Sequence, residues 1–148
     1  MSHARHHSHR PLVELTGRLR QKARKITGPR QAILEVLRGR EHPLTIKEIM
    51  AALPKGECDL VTIYRSLRLL EDLGMVKRFD FGDGSARFEL LAEGDSGHHH
   101  HLVCVKCSGI VEIEDCFPPE LEHRIARENG YRSVTHRLEF FGLCPRCQ

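Results

Sequence analysis

Four cysteines in two identical spacings carry the most specific chemistry in this sequence. Cys104 and Cys107 form one Cys-x-x-Cys pair, and Cys144 and Cys147 form a second. Each pair can present two thiolates to one tetrahedral ion. Because four thiolates leave no ligand position for water, the sequence predicts a structural zinc ion rather than a catalytic one. A pair of redox disulfides is the alternative, and the reducing cytosol in which we expect the chain disfavours it.

A run of four histidines, His98 to His101, leads directly into the first cysteine pair. Alternate side chains of an extended strand point to opposite faces. We therefore expect His99 and His101 on one face and His98 and His100 on the other, with each pair needing further ligands from elsewhere. A solvated histidine run is the alternative, but its position beside a zinc knuckle favours metal ligands.

The two remaining cysteines, Cys58 and Cys116, have no partner at a ligand spacing and are interpreted as ordinary thiols. Cys58 borders a predicted helix, where a thiol can be sensitive to oxidation. Apart from the predicted metal ligands, the sequence shows no Ser-His or Cys-His arrangement and no acid pair, so it does not predict an enzyme. A zinc hydrolase with an open histidine-bound ion and a metal-storage protein are the alternatives from other classes.

Three helices are predicted in the first half of the chain from their start and stop signals. Thr27-Gly28-Pro29 begins the first, and Thr45 with Glu48 forms a capping box for the second, which Pro54 stops. Asp59 caps the third, which ends at Gly74. The apolar stripe of that helix leaves a polar face, which comprises Thr62, Tyr64, Arg65, Ser66 and Arg68.

Two helices joined by a short turn, the second with exposed Arg, Tyr and hydroxyl side chains, are typical of a helix-turn-helix that reads the major groove. Residues 75–81 and 86–91 flank Gly82-Asp83-Gly84-Ser85, which predicts a hairpin and hence a wing. A three-helix module that binds protein rather than DNA is the alternative.

The second half is predicted to mix strands with one helix. Residues 110–113 have the pattern of a strand, Pro119 to Asn129 that of an amphipathic helix closed by Gly130, and residues 131–143 that of a strand region. Apolar side chains near the end leave more exposed apolar surface than a small sheet covers, so a second copy is expected to pair there. These side chains are Leu138, Phe140, Phe141 and Leu143.

Composition limits the possible partners. The chain of 148 residues has a formal net charge of +3, and its first 30 residues are rich in Arg and Lys, as a surface that meets DNA requires. A solvated basic tail is the alternative reading of the most N-terminal of these charges. No stretch approaches the roughly 20 apolar residues that span a bilayer, and the N-terminus lacks the apolar core of a signal peptide. We therefore expect a cytoplasmic protein.

Together these motifs resemble the ferric uptake regulator superfamily over nearly the whole chain. The resemblance is carried by Thr27–Arg30, Asp59–Arg65, Leu69–Gly74, Phe88–Leu90 and His98–Cys107 with the terminal cysteine pair. It implies an α+β fold: a winged helix-turn-helix DNA-binding domain over residues 1–91 with a basic N-terminal arm, a linker over 92–97, and a small α/β dimerisation domain over 98–148 that holds the four-cysteine zinc site. It also implies a homodimer on palindromic double-stranded DNA.

The resemblance also implies site residues. The regulatory metal site of the family maps onto Glu89, His99, His101, Glu112 and His42. A second metal site maps onto His98, His100, Glu120 and His136, with Pro119 at the place where the family has the carboxylate and Glu120 beside it. DNA contacts map onto Tyr64 and Arg65 of the recognition helix and onto Lys25 and Arg30, and the exposed-face argument adds Thr62 and Arg68.

The implied function is repression of metal-uptake genes when metal is plentiful. A Glu with histidines suits ferrous iron or manganese, so an iron-sensing repressor is the leading prediction. The uninterrupted histidine run and the general order of metal affinities favour the zinc-sensing alternative. A peroxide-sensing regulator is third, because that branch usually has aspartates where this chain has Glu89 and Glu112.

Overall fold

A computed structural model describes residues 12–22, 25, 27–91, 99–113 and 115–148. The chain divides into two compact units, Met1–Gly97 and His98–Gln148, called here the N-terminal and C-terminal units. Within the described ranges, no helix has the length and apolar character needed to cross a membrane.

The N-terminal unit combines four helices with a small antiparallel sheet. The helices are α1 (Leu12–Gln21), α2 (Gly28–Arg38), α3 (Ile46–Ala52) and α4 (Leu60–Asp72), and the strands are β1 (Leu44–Thr45), β2 (Val76–Asp80) and β3 (Ala86–Leu90). The strand order is β1-β3-β2. The predicted hairpin of β2 and β3 is therefore confirmed. Strand β1, which sequence reasoning did not predict, pairs with β3.

The predicted caps form as side-chain hydrogen bonds to the first turn of each helix. The Thr27 hydroxyl accepts from the backbone N–H of Arg30 at the start of α2, and Asp59 Oδ1 accepts from the N–H of Thr62 at 2.6 Å at the start of α4. Thr45 and Glu48 form the reciprocal capping box of α3. Gly74 follows the end of α4 with a φ of 66°, a left-handed conformation that favours glycine. These local signals set α3 and α4 as two helices joined by a short turn.

Part of the predicted basic arm is instead helix α1, which is packed into the core. Leu15 and Leu19 of this helix are fully buried. Leu12, Leu15 and Leu19 recur at helical spacing, so one face of α1 is apolar. Arg18 is half-buried and donates from Nη1 to the Leu91 carbonyl at 3.4 Å, whereas Arg20 is exposed. The expected arm therefore extends the hydrophobic core of the N-terminal unit, whose fully buried members also include Ile33, Leu34, Ile49, Ile63, Leu70 and Met75.

The C-terminal unit has one helix and a three-stranded sheet. Its elements are β4 (His100–Cys104), β5 (Ile110–Ile113), α5 (Pro119–Asn129) and β6 (Glu139–Gly142). The strand order is β5-β4-β6, with β4 antiparallel to β5 and parallel to β6. Helix α5 has the predicted limits and ends at Gly130 in the left-handed conformation.

The prediction of a strand region over residues 131–143 was too long, because only Glu139–Gly142 is a strand. A parallel partner requires the chain to return to the start of β4 before pairing begins. Residues 131–138 make that return without regular structure, and Ser133 has a φ of 52°. The return places His136 beside the sheet, which matters for the site described below.

Candidate metal centres and nucleic-acid interface

The four predicted knuckle cysteines come together in the C-terminal unit. Cys104 ends β4, Cys107 lies in the turn that follows, and Cys144 and Cys147 lie in the last turn of the chain. Their sulfur atoms all lie within 4.8 Å of one another. The Sγ atoms of Cys107 and Cys144 are 3.7 Å apart, and Zn–S bonds of about 2.3 Å in a tetrahedron require about 3.8 Å. The residues therefore fit a tetrahedral thiolate site.

Backbone amides favour thiolates in this cluster. The N–H of Cys144 donates to Cys104 Sγ at 3.4 Å, and this bond, with those from Cys107 and Lys106, lowers the pKa of Cys104 to about 6. The hydrogen bond to Cys144 and the crowding of sulfurs raise the pKa of Cys147 to about 12. Four thiolates this close repel one another, so full ionisation requires a cation at the centre.

The five residues predicted for the regulatory site divide between the two units. Glu89 lies in β3 and His42 precedes β1, both in the N-terminal unit. His99, His101 and Glu112 belong to the C-terminal unit, where His101 in β4 is directly opposite Glu112 in β5. The rings of His99 and His101 meet edge to face, with centroids 5.1 Å apart, and His101 is buried. The C-terminal unit thus brings three of the predicted ligands onto neighbouring positions, and the complete set of five stays a prediction.

As the predicted alternation requires, His100 lies with different side chains from those near His99 and His101. His100 Nε2 lies 3.3 Å from His136 Nε2, and the two rings stack with centroids 5.1 Å apart. His100 is buried and its Nδ1 donates to the Leu138 carbonyl at 3.1 Å. His98, the fourth residue predicted for this second site, lies outside the described residues.

The carboxylate that contacts His136 is that of Glu122, whereas the family resemblance implied Glu120 as the ligand, which stays a prediction. Glu122 Oε1 lies 2.7 Å from His136 Nδ1, whereas Glu120 is exposed. Neither carboxylate belongs to the group of ligand atoms that His100, Cys116 and His136 form. Both residues lie in the first turn of α5, and Glu122, the third residue beyond Pro119 rather than the first, is the one that contacts His136. The spacing along the sequence does not by itself distinguish Glu122 from Glu120.

Cys116 lies beside the His100–His136 pair, a neighbourhood that sequence reasoning missed. Its Sγ lies 3.2 Å from His136 Nε2, and its sulfur groups with the nitrogens of His100 and His136 within 4.8 Å. Cys116 therefore has two histidine neighbours, and its interpretation as an ordinary thiol stays a prediction. No spacing motif marks a lone cysteine, because its partners lie 16 and 20 residues away in separate segments of the chain.

The other isolated cysteine, Cys58, lies against the core of the N-terminal unit. Burial, together with the carboxylates of Glu57 and Asp59, raises the pKa of its thiol. A raised pKa leaves less of the reactive thiolate at neutral pH. The structure therefore does not support the predicted sensitivity of Cys58 to oxidation.

The exposed face of α4 has the side chains that the sequence predicted, with one exception. Tyr64 is 55% exposed, Arg65 and Arg68 are exposed, and Thr62 is half-buried. Ser66 is buried, contrary to prediction, because it lies one turn from Ile63 and one turn from Leu70 on the core face. The remaining polar side chains form a continuous surface.

This surface lines a groove between α4, the start of α3 and the β2–β3 hairpin. Positive side chains along the groove are Lys47, Arg65, Arg68 and Arg78. Lys25 and Arg30, the predicted backbone contacts, are joined by a hydrogen bond from Arg30 Nη1 to the Lys25 carbonyl at 2.6 Å. The groove also has three carboxylates, those of Glu71, Asp72 and Asp80. Its arginine and lysine side chains have the donors that bind the phosphates and base edges of duplex DNA.

Comparison with known proteins finds similar sequences and structures over most of the chain. Residues 21–141 match the sequence model described as the ferric uptake regulator family. A ferric uptake regulation protein of Bacillus subtilis is 39% identical over 126 residues, which cover 83% of this chain and 85% of that protein. The peroxide-responsive repressor of Staphylococcus aureus is 35% identical over 140 residues, covering 93% of this chain and 91% of the repressor. The crystal structure of the Vibrio cholerae ferric uptake regulator is similar with a TM-score of 0.73 and 32% identity, covering 88% of this chain and 99% of that chain.

Proposed function

The chain belongs to the ferric uptake regulator family, and from that premise we propose that it is a metal-responsive transcriptional repressor that binds double-stranded DNA. The observation that carries the proposal is the exposed Tyr64-Arg65-Arg68 face of α4, which lines a groove beside the β2–β3 hairpin in a chain that also has clustered metal-binding side chains. A repressor of bacterial genes acts in the cytoplasm, which is therefore the proposed location. Regulation of this kind requires no enzymatic step.

DNA recognition is assigned to α4 and its surroundings. Arg65 and Arg68 have the donors that pair with guanine, and Tyr64 and Thr62 have hydroxyls that suit phosphates or thymine edges. Lys25 and Arg30 are assigned to the DNA backbone, where charge rather than geometry decides affinity. A dimer of such units would read a palindromic operator.

Metal control is assigned to Glu89, His99, His101, Glu112 and His42. A metal ion that binds the DNA-competent conformation more tightly than a conformation that does not bind DNA shifts the population toward DNA binding. By reciprocity, DNA must raise the metal affinity by the same factor. The four-cysteine cluster has a separate role: a thiolate-only site is closed to water, so its zinc ion stabilises the C-terminal unit.

Ferrous iron is the leading candidate for the regulatory metal, because this predicted ligand set contains carboxylates and histidines and no thiolate. Manganese suits the same ligands. A zinc-sensing repressor is the alternative, supported by the histidine run and by the greater general affinity of such ligands for zinc. A peroxide-sensing role has one supporting observation, the similarity to the S. aureus repressor.

A homodimer is proposed from an apolar row on the second sheet. Val111, Leu102 and Phe140 are direct neighbours across β5, β4 and β6, so their side chains share one face. They are 54%, 39% and 44% exposed. An apolar sheet face of this kind suits an isologous interface between two copies. Leu102→Glu should yield monomers in sedimentation velocity, whereas Tyr131→Glu, at a position 71% exposed outside the sheet, should not.

The decisive experiment titrates promoter DNA with the zinc-loaded chain in buffered ferrous iron, manganese or zinc. One metal should switch on DNA binding, and Glu89→Ala and His99→Ala should each abolish the switch. Glu128→Ala, at an exposed position of α5, is the matched control and should respond as the parent chain does. Equal DNA binding with and without every metal would refute the metal-responsive mechanism.

A further inference from the structure

Val61 is an apolar side chain at the start of the exposed face of α4. It is 55% exposed, as Tyr64 is. Tyr64 follows Val61 by three positions and Arg65 follows it by four, and residues at these spacings are neighbours on a helix surface. Arg68 follows by seven positions and lies on the same side of the helix. Val61 is therefore the first member of the row that contains the proposed DNA contacts of α4.

Packing inside the N-terminal unit does not explain a valine at this position. Successive residues of a helix are about 100° apart, so Val61 lies about 160° around the helix from Ile63, which is fully buried. The Val61 side chain therefore points away from the core. Leu60, the other exposed apolar side chain of this turn, lies only about 60° from Ile63, at the margin of the core face. Valine is also a poorer helix former than alanine or lysine, so helix propensity does not favour it here.

The charges of α4 indicate which end of the exposed row approaches DNA. Arg65 and Arg68 lie in the middle of the helix, whereas Glu71 and Asp72 are exposed in its last turn. These carboxylates would repel the phosphates, so we expect the N-terminal part of α4 to enter the major groove, as in other recognition helices. The Asp59 carboxylate at that end accepts from the N–H of the first turn at 2.6 Å, and the positive end of the helix dipole offsets its charge. The first exposed turn of α4 is therefore the part that meets base edges.

The chemistry of the base edges decides what an apolar side chain contacts there. Every base edge in the major groove has hydrogen-bond donors or acceptors, and thymine adds a C5-methyl group. Valine neither donates nor accepts a hydrogen bond, but its methyl groups can cover that methyl group and exclude water from it. We propose that Val61 is a specificity-determining residue that contacts the C5-methyl group of a thymine near the base pair that Arg65 contacts. This inference rests on the proposed function, because it requires α4 to enter the major groove.

A contact with another protein is the other use of an exposed apolar side chain. Such an interface requires a contiguous apolar patch. The neighbours of Val61 along the exposed row are instead Tyr64, Arg65 and Arg68, and two of these three side chains are cationic. A single valine among cations suits a polyanion that has separate methyl groups on its surface, which is the character of the major groove.

The test removes the methyl groups of the two proposed partners separately. Duplexes are first selected from a random pool with the full chain, in the metal that supports DNA binding. Each thymine of a selected duplex is then replaced singly by uracil, which has the same hydrogen-bonding groups and lacks only the C5-methyl group. For the parent chain, replacement of one thymine in a half-site should lower the affinity about three- to fivefold, the effect of losing one buried methyl group.

Val61→Ala should weaken binding to the selected duplex by a similar factor and should abolish the effect of uracil at that thymine only, since the two partners of one contact are not additive. Val61→Ile keeps the apolar contact and should retain the effect. Val13→Ala, the same change at an exposed position of α1, is the matched control and should behave as the parent does. The Tm of Val61→Ala should equal that of the parent, because the side chain is exposed and alanine is the better helix former.

Two results would overturn the role of Val61 while leaving the proposed function intact. One is a Val61→Ala chain that keeps the parent's response to uracil at every thymine. The other is a parent chain whose affinity no uracil replacement changes. In both cases the selected duplex is still bound, so DNA binding itself is not in question. If the parent chain enriches no duplex from the pool, the proposed function and this inference fail together.

Discussion

Arg87 forms a two-point ion pair with Asp83 at the tip of the β2–β3 hairpin. Nη1 donates to Oδ1 at 3.0 Å and Nη2 to Oδ2 at 2.7 Å. The Arg87 side chain is buried and lies over the ring of Phe81, 5.3 Å from its centroid. Arg87 therefore stabilises the hairpin from within, and its charge is paired with Asp83.

The pair predicts a pH-dependent contribution to stability. The hydrogen bonds from Arg87 lower the pKa of Asp83 from 3.8 to about 2. Because the folded-state pKa is the lower one, the pair stabilises the protein fully above about pH 4, and the contribution is lost as the pH falls toward 2. Asp83→Asn should cost about 0.5–1 kcal/mol at neutral pH, a value reduced by the partial exposure of the carboxylate.

Urea unfolding of the parent and Asp83→Asn chains between pH 7 and pH 2.5 measures this contribution. The difference in unfolding free energy should be constant above pH 4 and should shrink below it. Glu57→Gln, at an exposed position in the turn before α4, is the control and should show no such difference. A pH-independent difference for Asp83→Asn would contradict the ion-pair explanation.

Helix α1 is expected to be part of the folded core and not a detachable arm. Leu19 is fully buried, so Leu19→Ala should destabilise the N-terminal unit by about 2–4 kcal/mol through lost burial and the cavity that remains. Val13→Ala on the same helix removes a side chain that is 80% exposed and should cost about 0.5 kcal/mol or less. Thermal unfolding followed by circular dichroism compares the two, and equal Tm values would show that α1 contributes nothing to the core.

Arg65 is expected to contribute sequence-specific DNA contacts, and Lys25 to contribute charge. Arg65→Ala should weaken specific binding by about 1–3 kcal/mol and relax the sequence preference at one operator position. Lys25→Ala should weaken binding to all sequences and reduce the salt dependence by about one phosphate contact.

Fluorescence anisotropy with specific and scrambled duplexes over a range of salt concentrations separates these effects. Arg124→Ala, an exposed arginine in the middle of α5, is the charge-matched control and should change neither property. If Arg65→Ala behaved as Arg124→Ala does, the recognition face would have to be sought elsewhere than on α4.

Removal of the knuckle ion should unfold the C-terminal unit. Cys104→Ser deletes the ligand whose thiolate the backbone amides favour most, so we expect loss of one tightly bound zinc and of the cooperative unfolding of this unit. Cys58→Ser should retain both. Native mass spectrometry reports the zinc content and calorimetry the transition, and retention of tightly bound zinc in Cys104→Ser would show that the four cysteines do not form one site.

The sequence by itself determined the features that depend on neighbouring residues. The caps at Thr27, Thr45 and Asp59 form within a single helical turn, and the glycine-rich turn between β2 and β3 joins strands that are adjacent in sequence. The paired Cys-x-x-Cys spacing likewise encodes its ligand geometry locally. Such features follow from hydrogen bonds and turns that span a few residues, so a linear pattern is enough to predict them.

Only the tertiary structure decided which distant side chains meet. Cys116 and Glu122 lie beside His136 because the irregular segment after α5 brings His136 back to β4. The apolar face of α1 likewise makes this basic segment part of the core. The parallel register between β4 and β6 likewise sets the strand at Glu139–Gly142, with His136 before it. These outcomes depend on packing between segments far apart in the chain. A shift of one residue in strand register, or of one turn in a helix, would bring different side chains together while leaving every local pattern intact.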